Sequence, residues 1–207
     1  MGQETKGTCF SCHESITEAE ARAHLEGCKA IEGDSEGFLL KVSSEKDPSL
    51  YWMFLGISKG ATLHTLDQFL RETWLECTGH LSMFTIEKLH FSSHARGDFD
   101  KSPIDTQVGE LLSPGLSFTY LYDFDNSTHL KLEVVSEWGH CPQGQIALLI
   151  QNHPPAVDCR ECGKGADLLC DVCFGSICSA CQKGHACKEH ILKPILNSPR
   201  RKITAAE

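Results

Sequence analysis

The chain has 207 residues, of which 41% are hydrophobic and 23% are charged, the composition of an ordinary globular protein. Its longest apolar run, 146–150, is far shorter than the roughly 18 residues that span a bilayer, which excludes a membrane-spanning helix. The formal net charge of −9 argues against non-specific binding of nucleic acid, because such binding requires basic side chains that neutralise phosphates.

The cysteines are unevenly placed and divide the chain into three predicted domains. Residues 1–32 hold three of the 12 cysteines, residues 33–157 hold two and residues 158–207 hold seven. The first thirty residues show no secretory signal, so we expect a cytoplasmic protein whose reduced thiols bind metal rather than form disulfides. We predict a zinc finger at 1–32, an α+β domain at 33–157 and a two-zinc module with a basic tail at 158–207.

The N-terminal segment carries four metal-ligand residues in two close pairs: Cys9, Cys12, His24 and Cys28. A C-x2-C turn places two thiolates at about the spacing of two corners of a zinc tetrahedron. Between the pairs, Thr17 and Glu20 form a capping box that predicts the start of a helix. Residues four apart share a helix face, so the second pair would point the same way unless Gly27 ends the helix early.

The middle segment combines strand and helix patterns. Short apolar or alternating runs predict strands at 38–42, 51–57, 81–87, 118–124, 128–135 and 145–151. Helical spacing over 66–74 predicts a helix with Thr62 or Thr65 as N-cap, and Asp105 can cap a short helix that ends near Leu112. Residues 92–103 read as a loop. This order favours an α+β fold: a mostly antiparallel sheet with helices on one side, flanked by two small zinc-stabilised modules.

The C-terminal segment holds nine candidate ligands: Cys159, Cys162, Cys170, Cys173, Cys178, Cys181, His185, Cys187 and His190. The short gap between the second and third C-x2-C pairs favours interleaved sites over two separate ones. We predict that Cys159, Cys162, Cys178 and Cys181 hold one ion, and that Cys170, Cys173, Cys187 and His190 hold another. His185 is then spare, and could replace Cys187 or donate a hydrogen bond to a ligand. The spacing resembles B-box-type zinc modules.

The predicted cofactor is zinc, with three ions per chain. Each predicted site has four protein ligands, which leaves no coordination position for water or substrate, so the ions would be structural and not catalytic. Because segments this short cannot bury a sufficient core, we expect both ends of the chain to depend on their metal.

Two further groups in the middle segment are candidate sites. Cys77 and His80 resemble half a metal site or a nucleophile pair, and His140 with Cys141 could supply another half. A buried cysteine and a hydrogen-bonded histidine at a helix end explain the first group more simply.

The residues Asp123, Asp125 and His129 could form an acid-base set, although turn chemistry explains the two aspartates more simply.

Three stretches carry a family resemblance: LDQFLRETWLECTGHLSMFTI (66–86), FTYLYDFDNSTHLKLEV (118–134) and NSPR (197–200). They resemble the Ri-plasmid ORF-3-like family, whose members include the passenger "TnpR" protein of an insertion element. The resemblance implies an α+β fold and no established activity or catalytic residue. The family commonly has YDFGD where this chain has residues 122–126 without the glycine, and its tail after NSPR also differs.

Three classes of function follow from these observations. Closed metal sites without a catalytic motif favour a non-catalytic interaction or adaptor protein. Such a protein would bind other proteins and would not associate with a membrane. A nucleic-acid-binding accessory protein of a mobile element is the alternative, motivated by zinc fingers and disfavoured by the net charge. An enzyme with an unrecognised site near Cys77 and His80 is the second alternative.

Overall fold

The computed structural model describes residues 5–75, 79–93, 101–142, 145–187 and 191–200. It divides the chain into two compact units, Met1–His153 and Pro154–Glu207. The predicted separate domain at 1–32 is instead part of the first unit, because its first strand hydrogen-bonds to the last strand of the middle segment. The predicted boundary near residue 157 lies close to the observed one.

Within the described residues, the first unit forms one sheet of ten strands. Their bounds are β1 Lys6–Cys9, β2 Ser15–Thr17, β3 Ser35–Ser44, β4 Trp52–Ser58, β5 Ser82–Ile86, β6 Leu89–Ser92, β7 Lys101–Ser102, β8 Ser117–Tyr122, β9 Thr128–Cys141 and β10 Ile146–Asn152. The order across the sheet is β2-β1-β10-β4-β3-β9-β8-β5-β6-β7. Among the strand pairs of the described residues, only β6–β7 is parallel. The mostly antiparallel sheet with α-helices confirms the predicted α+β class.

Alternation along the central strands gives the sheet two apolar faces. On β3, Phe38, Leu40 and Val42 join one core, whereas Leu39 joins the other. The first core is covered by α2 (Leu63–Thr73) and α3 (Val108–Leu111), the two helices predicted for one side of the sheet. The second core is covered by α1 (Glu18–Gly27), which contributes Ala21 and Leu25.

Of the three described helices, two begin at an N-cap residue predicted from the sequence. The Thr62 hydroxyl accepts a hydrogen bond from the backbone N–H of Thr65 at 3.1 Å and begins α2. At α1, the backbone N–H of Thr17 donates to the Glu20 carboxylate at 3.1 Å, which closes the predicted capping box. The prediction for Asp105 is wrong, because α3 begins later with residue 107 as its N-cap. None of the described helices is both long and apolar enough to cross a bilayer.

The strand predictions differ from the structure mainly in length and number. Strand β9 continues to Cys141, well beyond the predicted end at 135, because it pairs with β3 along most of its length. Strands β1, β2 and β6 are too short to give a readable alternation, and β7 lies at the end of the predicted loop 92–103.

A buried polar network lies between α2 and the sheet. The carboxylate of Asp67, 3% exposed, accepts hydrogen bonds from the hydroxyls of Ser82 at 2.5 Å and Tyr120 at 2.6 Å, and from Nε of Arg71 at 2.7 Å. The Arg71 guanidinium also lies over the ring of Tyr122, 4.8 Å from its centroid. Burial, and then the neighbouring carboxylate, raise the pKa of Tyr120, so its hydroxyl stays protonated as a donor.

The second unit is built around a small sheet with the order β12-β11-β13. Its strands are β11 Leu168–Cys170, β12 Ser176–Ile177 and β13 Leu192–Pro194, and a 3₁₀ turn covers Gln182–Gly184. The buried apolar residues described in this unit are Val157, Cys159, Cys170, Ile177 and Cys178. Three of these five are cysteines, so the described part of the unit has almost no hydrophobic core apart from its candidate metal ligands.

Candidate metal centres

The described cysteines and histidines form three clusters that can hold a metal ion. The N-terminal cluster is Cys9, Cys12, His24 and Cys28; the four-cysteine cluster is Cys159, Cys162, Cys178 and Cys181; the His185 cluster is Cys170, Cys173, His185 and Cys187. Within each cluster the four donor atoms lie within 4.8 Å of one another. None of the described cysteines forms a disulfide.

The N-terminal cluster is positioned by two elements of the main sheet unit. Cys9 ends β1 and is buried, and the turn that follows brings Cys12 beside it. Helix α1 supplies His24 from its last turn and ends at Gly27, with Cys28 as its C-cap. The early helix end does not remove Cys28 from the cluster, because the packing of Leu25 against the sheet fixes this end of the helix.

Three of the C-x2-C turns have the same backbone conformation. In each, the residue after the second cysteine adopts a left-handed φ: His13 at 64°, Gly163 at 70° and Phe174 at 54°. In each, the N–H of that residue donates to the carbonyl of the first cysteine, at 2.8–3.0 Å. This shared turn, the zinc knuckle, holds two thiols on one side of the chain.

The two C-terminal clusters interleave along the chain. The knuckle at 159–162 joins the pair at 178–181, and the knuckle at 170–173 joins His185 and Cys187. His185, which the spacing left as a spare, supplies the histidine of the second site, because the 3₁₀ turn at Gln182–Gly184 brings its ring to the knuckle. The predicted ligand His190 lies outside the described residues.

The donor separations match a tetrahedron around zinc. Bond lengths of about 2.3 Å to sulfur and 2.0–2.1 Å to nitrogen require about 3.8 Å between two sulfurs and about 3.5 Å between sulfur and nitrogen. The sulfurs of Cys162 and Cys178 are 3.7 Å apart. Nε2 of His24 is 3.4 Å from the sulfur of Cys12, and Nε2 of His185 is 3.5 Å from the sulfur of Cys173.

Each candidate histidine ligand has a carboxylate near its other nitrogen, and for His185 the contact is a hydrogen bond. Nδ1 of His24 is 3.4 Å from the carboxylate of Glu14, and Nδ1 of His185 is 3.2 Å from the carboxylate of Glu161. A carboxylate at Nδ1 keeps the proton there and leaves Nε2 free to bind a metal, the usual arrangement at zinc sites. Neither glutamate was identified from the sequence. Glu161 lies within a C-x2-C turn and Glu14 lies two residues after one, and this closeness to the ligands could have identified both.

The thiols of the four-cysteine cluster affect one another's ionisation. Burial opposes ionisation of Cys159, but backbone hydrogen bonds, first from Cys178 and then from Glu161, outweigh it and lower its pKa to about 6. Hydrogen bonds with Cys162 and Cys178, together with burial, raise the pKa of Cys181 to about 12. Ionising all four thiols together is therefore unfavourable, and a bound cation would offset that cost.

The other groups singled out from the sequence do not converge. Cys141 is buried in the second core, where a Cβ on Gly37 would lie only 2.5 Å from its sulfur, so it is a packing residue. His140 is exposed and His80 lies against Tyr122, a residue of the first core. His80 thus lies against the first core and Cys141 belongs to the second, so these two residues do not form one site. Cys77 lies outside the described residues.

The aspartates of the β8–β9 turn follow turn chemistry, as expected. The Asp123 carboxylate accepts hydrogen bonds from the backbone N–H groups of Asp125 and Asn126, at 3.2 and 3.3 Å. It also lies 3.5 Å from Nδ1 of His80, whereas His129 faces Glu45 at the same distance. The proposed acid-base set is therefore divided between two pairs.

The shared knuckle conformation makes Gly163→Ala a test of backbone strain alone. Gly163 has φ +70° and open space around its Cα, so an added methyl group meets no neighbour but is held in an unfavourable conformation. At a cost of about 1–2 kcal/mol, we expect metal binding by the four-cysteine cluster to weaken about 5- to 30-fold. Metal-affinity titration of the variant measures this.

The matched control is Gly165→Ala. Gly165 also has open space around its Cα but no left-handed φ, so its replacement should change the free energy by less than about 0.5 kcal/mol. Equal affinities in the two variants would show that the left-handed turn is not required.

Comparison with known proteins gives little further information. No protein-family model matches the chain, and no curated protein matches it. The chain is similar to the crystal structure of a protein of unknown function from Methanosarcina mazei Go1, with a TM-score of 0.47 and 15% sequence identity. That similarity covers 63% of this chain and 76% of the other.

Proposed function

We propose that the protein binds three structural zinc ions and acts as a non-catalytic interaction protein. The arrangement of the two histidines is the observation that carries the metal assignment: each places Nε2 among thiols and Nδ1 against a carboxylate. Thiolate and imidazole donors at tetrahedral separations suit zinc better than Mg²⁺ or Ca²⁺, which prefer oxygen.

The structural role follows from the number of donors. Each cluster supplies four protein ligands, so a bound ion would have no open position for substrate or water. Because zinc-bound thiolates must stay reduced, we also propose a reducing compartment such as the cytoplasm.

Exposed apolar side chains around the His185 cluster support the interaction role. Val172 and Phe174 lie in the knuckle and are 56% and 57% exposed, and Ile191 is 62% exposed. Ile191 lies beside this knuckle, because its carbonyl accepts the backbone N–H of Asp171 at 3.1 Å. Phe174 has a left-handed φ, which is strained for an aromatic residue, and its apolar ring is nevertheless exposed. An exposed apolar ring held in this way suits a contact with another protein.

Affinity capture with a matched variant tests the interaction role. The full chain should retain a stoichiometric protein partner from its native host, and Phe174→Gly should lose it while keeping its zinc, because glycine suits this φ. Recovery of no partner by the wild-type chain, or an unchanged partner with Phe174→Gly, would contradict the proposed surface.

Nucleic-acid binding has weaker support. The net charge of −9 opposes contact with phosphates. A mobility shift that weakens steeply with salt would favour it over the proposed role.

We further propose membership in the Ri-plasmid ORF-3-like family for the main sheet unit. Two of the three resembling stretches, 66–86 and 118–134, supply neighbouring strands of this unit, because β5 pairs with β8 and β8 pairs with β9. A solved family member with the same strand order would test this.

A further inference from the structure

The loop between two ligands of the four-cysteine cluster reaches the neighbouring His185 cluster. This loop consists of Arg160 and Glu161, between Cys159 and Cys162. The carboxylate of Glu161 lies 3.2 Å from Nδ1 of His185, whose side chain is only 3% exposed. The acceptor that orients the histidine of one cluster thus comes from the knuckle of the other.

Arg160 makes a second connection from the same loop. Its guanidinium and the thiol of Cys173 both lie next to Gly175. A Cβ on Gly175 would lie 3.0 Å from Cδ of Arg160 and 3.2 Å from the sulfur of Cys173, so both side chains pack over this glycine. The backbone N–H of Arg160 also donates to the carbonyl of Ser176 at 2.9 Å, which fixes the loop against β12.

The N-terminal cluster shows the contrasting arrangement. Its histidine, His24, faces the carboxylate of Glu14, which follows the knuckle of the same cluster. Glu14 also accepts the backbone N–H of Cys9 through its carbonyl, at 3.0 Å. The N-terminal cluster therefore contains its own orienting carboxylate, whereas the His185 cluster takes one from its neighbour.

We propose that Glu161 and Arg160 are positioning residues that couple the two C-terminal metal sites, so that disrupting the four-cysteine site weakens metal binding at the His185 site. This rests on the proposed zinc binding. Metal at the four-cysteine site fixes Cys159 and Cys162, and these ligands fix the loop between them. The loop then holds His185 in the orientation and tautomer that bind metal, and its Arg160 packs next to Cys173.

Zinc titration of the full chain tests the role of Glu161. In Glu161→Gln, zinc binding at the His185 cluster should weaken about 10- to 100-fold, the range typical for loss of an orienting partner, with the N-terminal site unchanged. The matched control, Glu14→Gln, should weaken the N-terminal site alone. Nitrogen-15 NMR adds a readout specific to positioning: the Nδ1 proton of His185 should exchange faster in Glu161→Gln.

A ligand variant tests the coupling itself. Cys162→Ser removes a donor from the four-cysteine cluster and should also weaken zinc binding at the His185 cluster, by at least about tenfold. Cys12→Ser, the equivalent change in the N-terminal cluster, should leave both C-terminal sites unchanged. Cadmium-113 NMR distinguishes a site of four thiolates from a site of three thiolates and one imidazole.

The outcomes separate this proposal from the proposed zinc binding. If Glu161→Gln binds zinc at all three sites as tightly as the wild type and its Nδ1 proton exchange is unchanged, the positioning role is overturned. The proposed zinc binding would remain. An unchanged His185 site in Cys162→Ser would overturn the coupling. A chain that binds no metal would overturn both proposals.

Discussion

Removing the metal ions should unfold residues 154–200 and leave most of the ten-stranded sheet intact. The second unit buries few apolar residues in its described part, and most of these are cysteine ligands. Structural zinc supplies about 10–16 kcal/mol in small finger peptides, as much as the net stability of a whole domain. Without metal, this unit has too little apolar burial to offset its conformational entropy.

Limited proteolysis with and without a chelator measures this effect. Cleavage should become rapid within 154–200, while a protected fragment that contains β3 to β10 persists. Addition of zinc after chelation should restore protection and supplies the control for damage by the chelator. Unchanged cleavage of the C-terminal unit after complete metal removal would contradict the expectation.

Metal loss should have a smaller effect on the N-terminal cluster. Strand β1 is hydrogen-bonded to β10, and α1 buries Ala21 and Leu25 against the second core. Their burial does not require the metal, so we expect loosening near Cys12 and Cys28 rather than release of the strand. The prediction from segment length, that both ends of the chain depend on their metal, took no account of these contacts with the sheet.

The second large effect is expected from Asp67→Ala, which should lower the free energy of unfolding of the sheet unit by about 3–5 kcal/mol. The substitution leaves the buried guanidinium of Arg71 without its carboxylate. It also removes the acceptor of the hydroxyls of Ser82 and Tyr120, both of which are fully buried. A buried donor that has lost its acceptor is no longer hydrated and has no hydrogen bond in exchange, which lowers the stability of the folded state.

Urea unfolding followed by tryptophan fluorescence provides the measurement, since Trp52 and Trp74 are buried in this unit. Glu72→Ala is the matched control: the same helix carries this exposed carboxylate, and its loss should change stability by less than about 0.5 kcal/mol. Tyr120→Phe removes one donor and should cost about 1 kcal/mol. Equal stability of the Asp67 and Glu72 variants would show that the network does not stabilise the fold.

The parts of the structure that depend on local patterns could be predicted from the sequence. The C-x2-C spacing indicated the knuckles because two thiols on one turn need no distant partner, and Thr62 and Glu20 marked their helix starts through local hydrogen bonds. The alternating run beginning at 128 predicted β9, although not its full extent.

Features decided by tertiary structure could not be predicted. Asp67 and Arg71 are four residues apart on a helix, a pattern that usually marks an exposed ion pair, and only the packing of α2 on the sheet buries them. Spacing alone allowed either His185 or His190 beside Cys187, and the 3₁₀ turn brings His185 into the cluster. The connection of β1 to the sheet depends on β10, which is more than 130 residues away in the sequence.

Metal analysis of the freshly purified full chain tests the central claim most directly. Native mass spectrometry should find three zinc ions per chain and no disulfide, and acid release of the zinc should expose the ten cysteines of the three clusters to alkylation. A folded chain that carries no metal, or one whose clustered cysteines are joined as disulfides, would contradict the account.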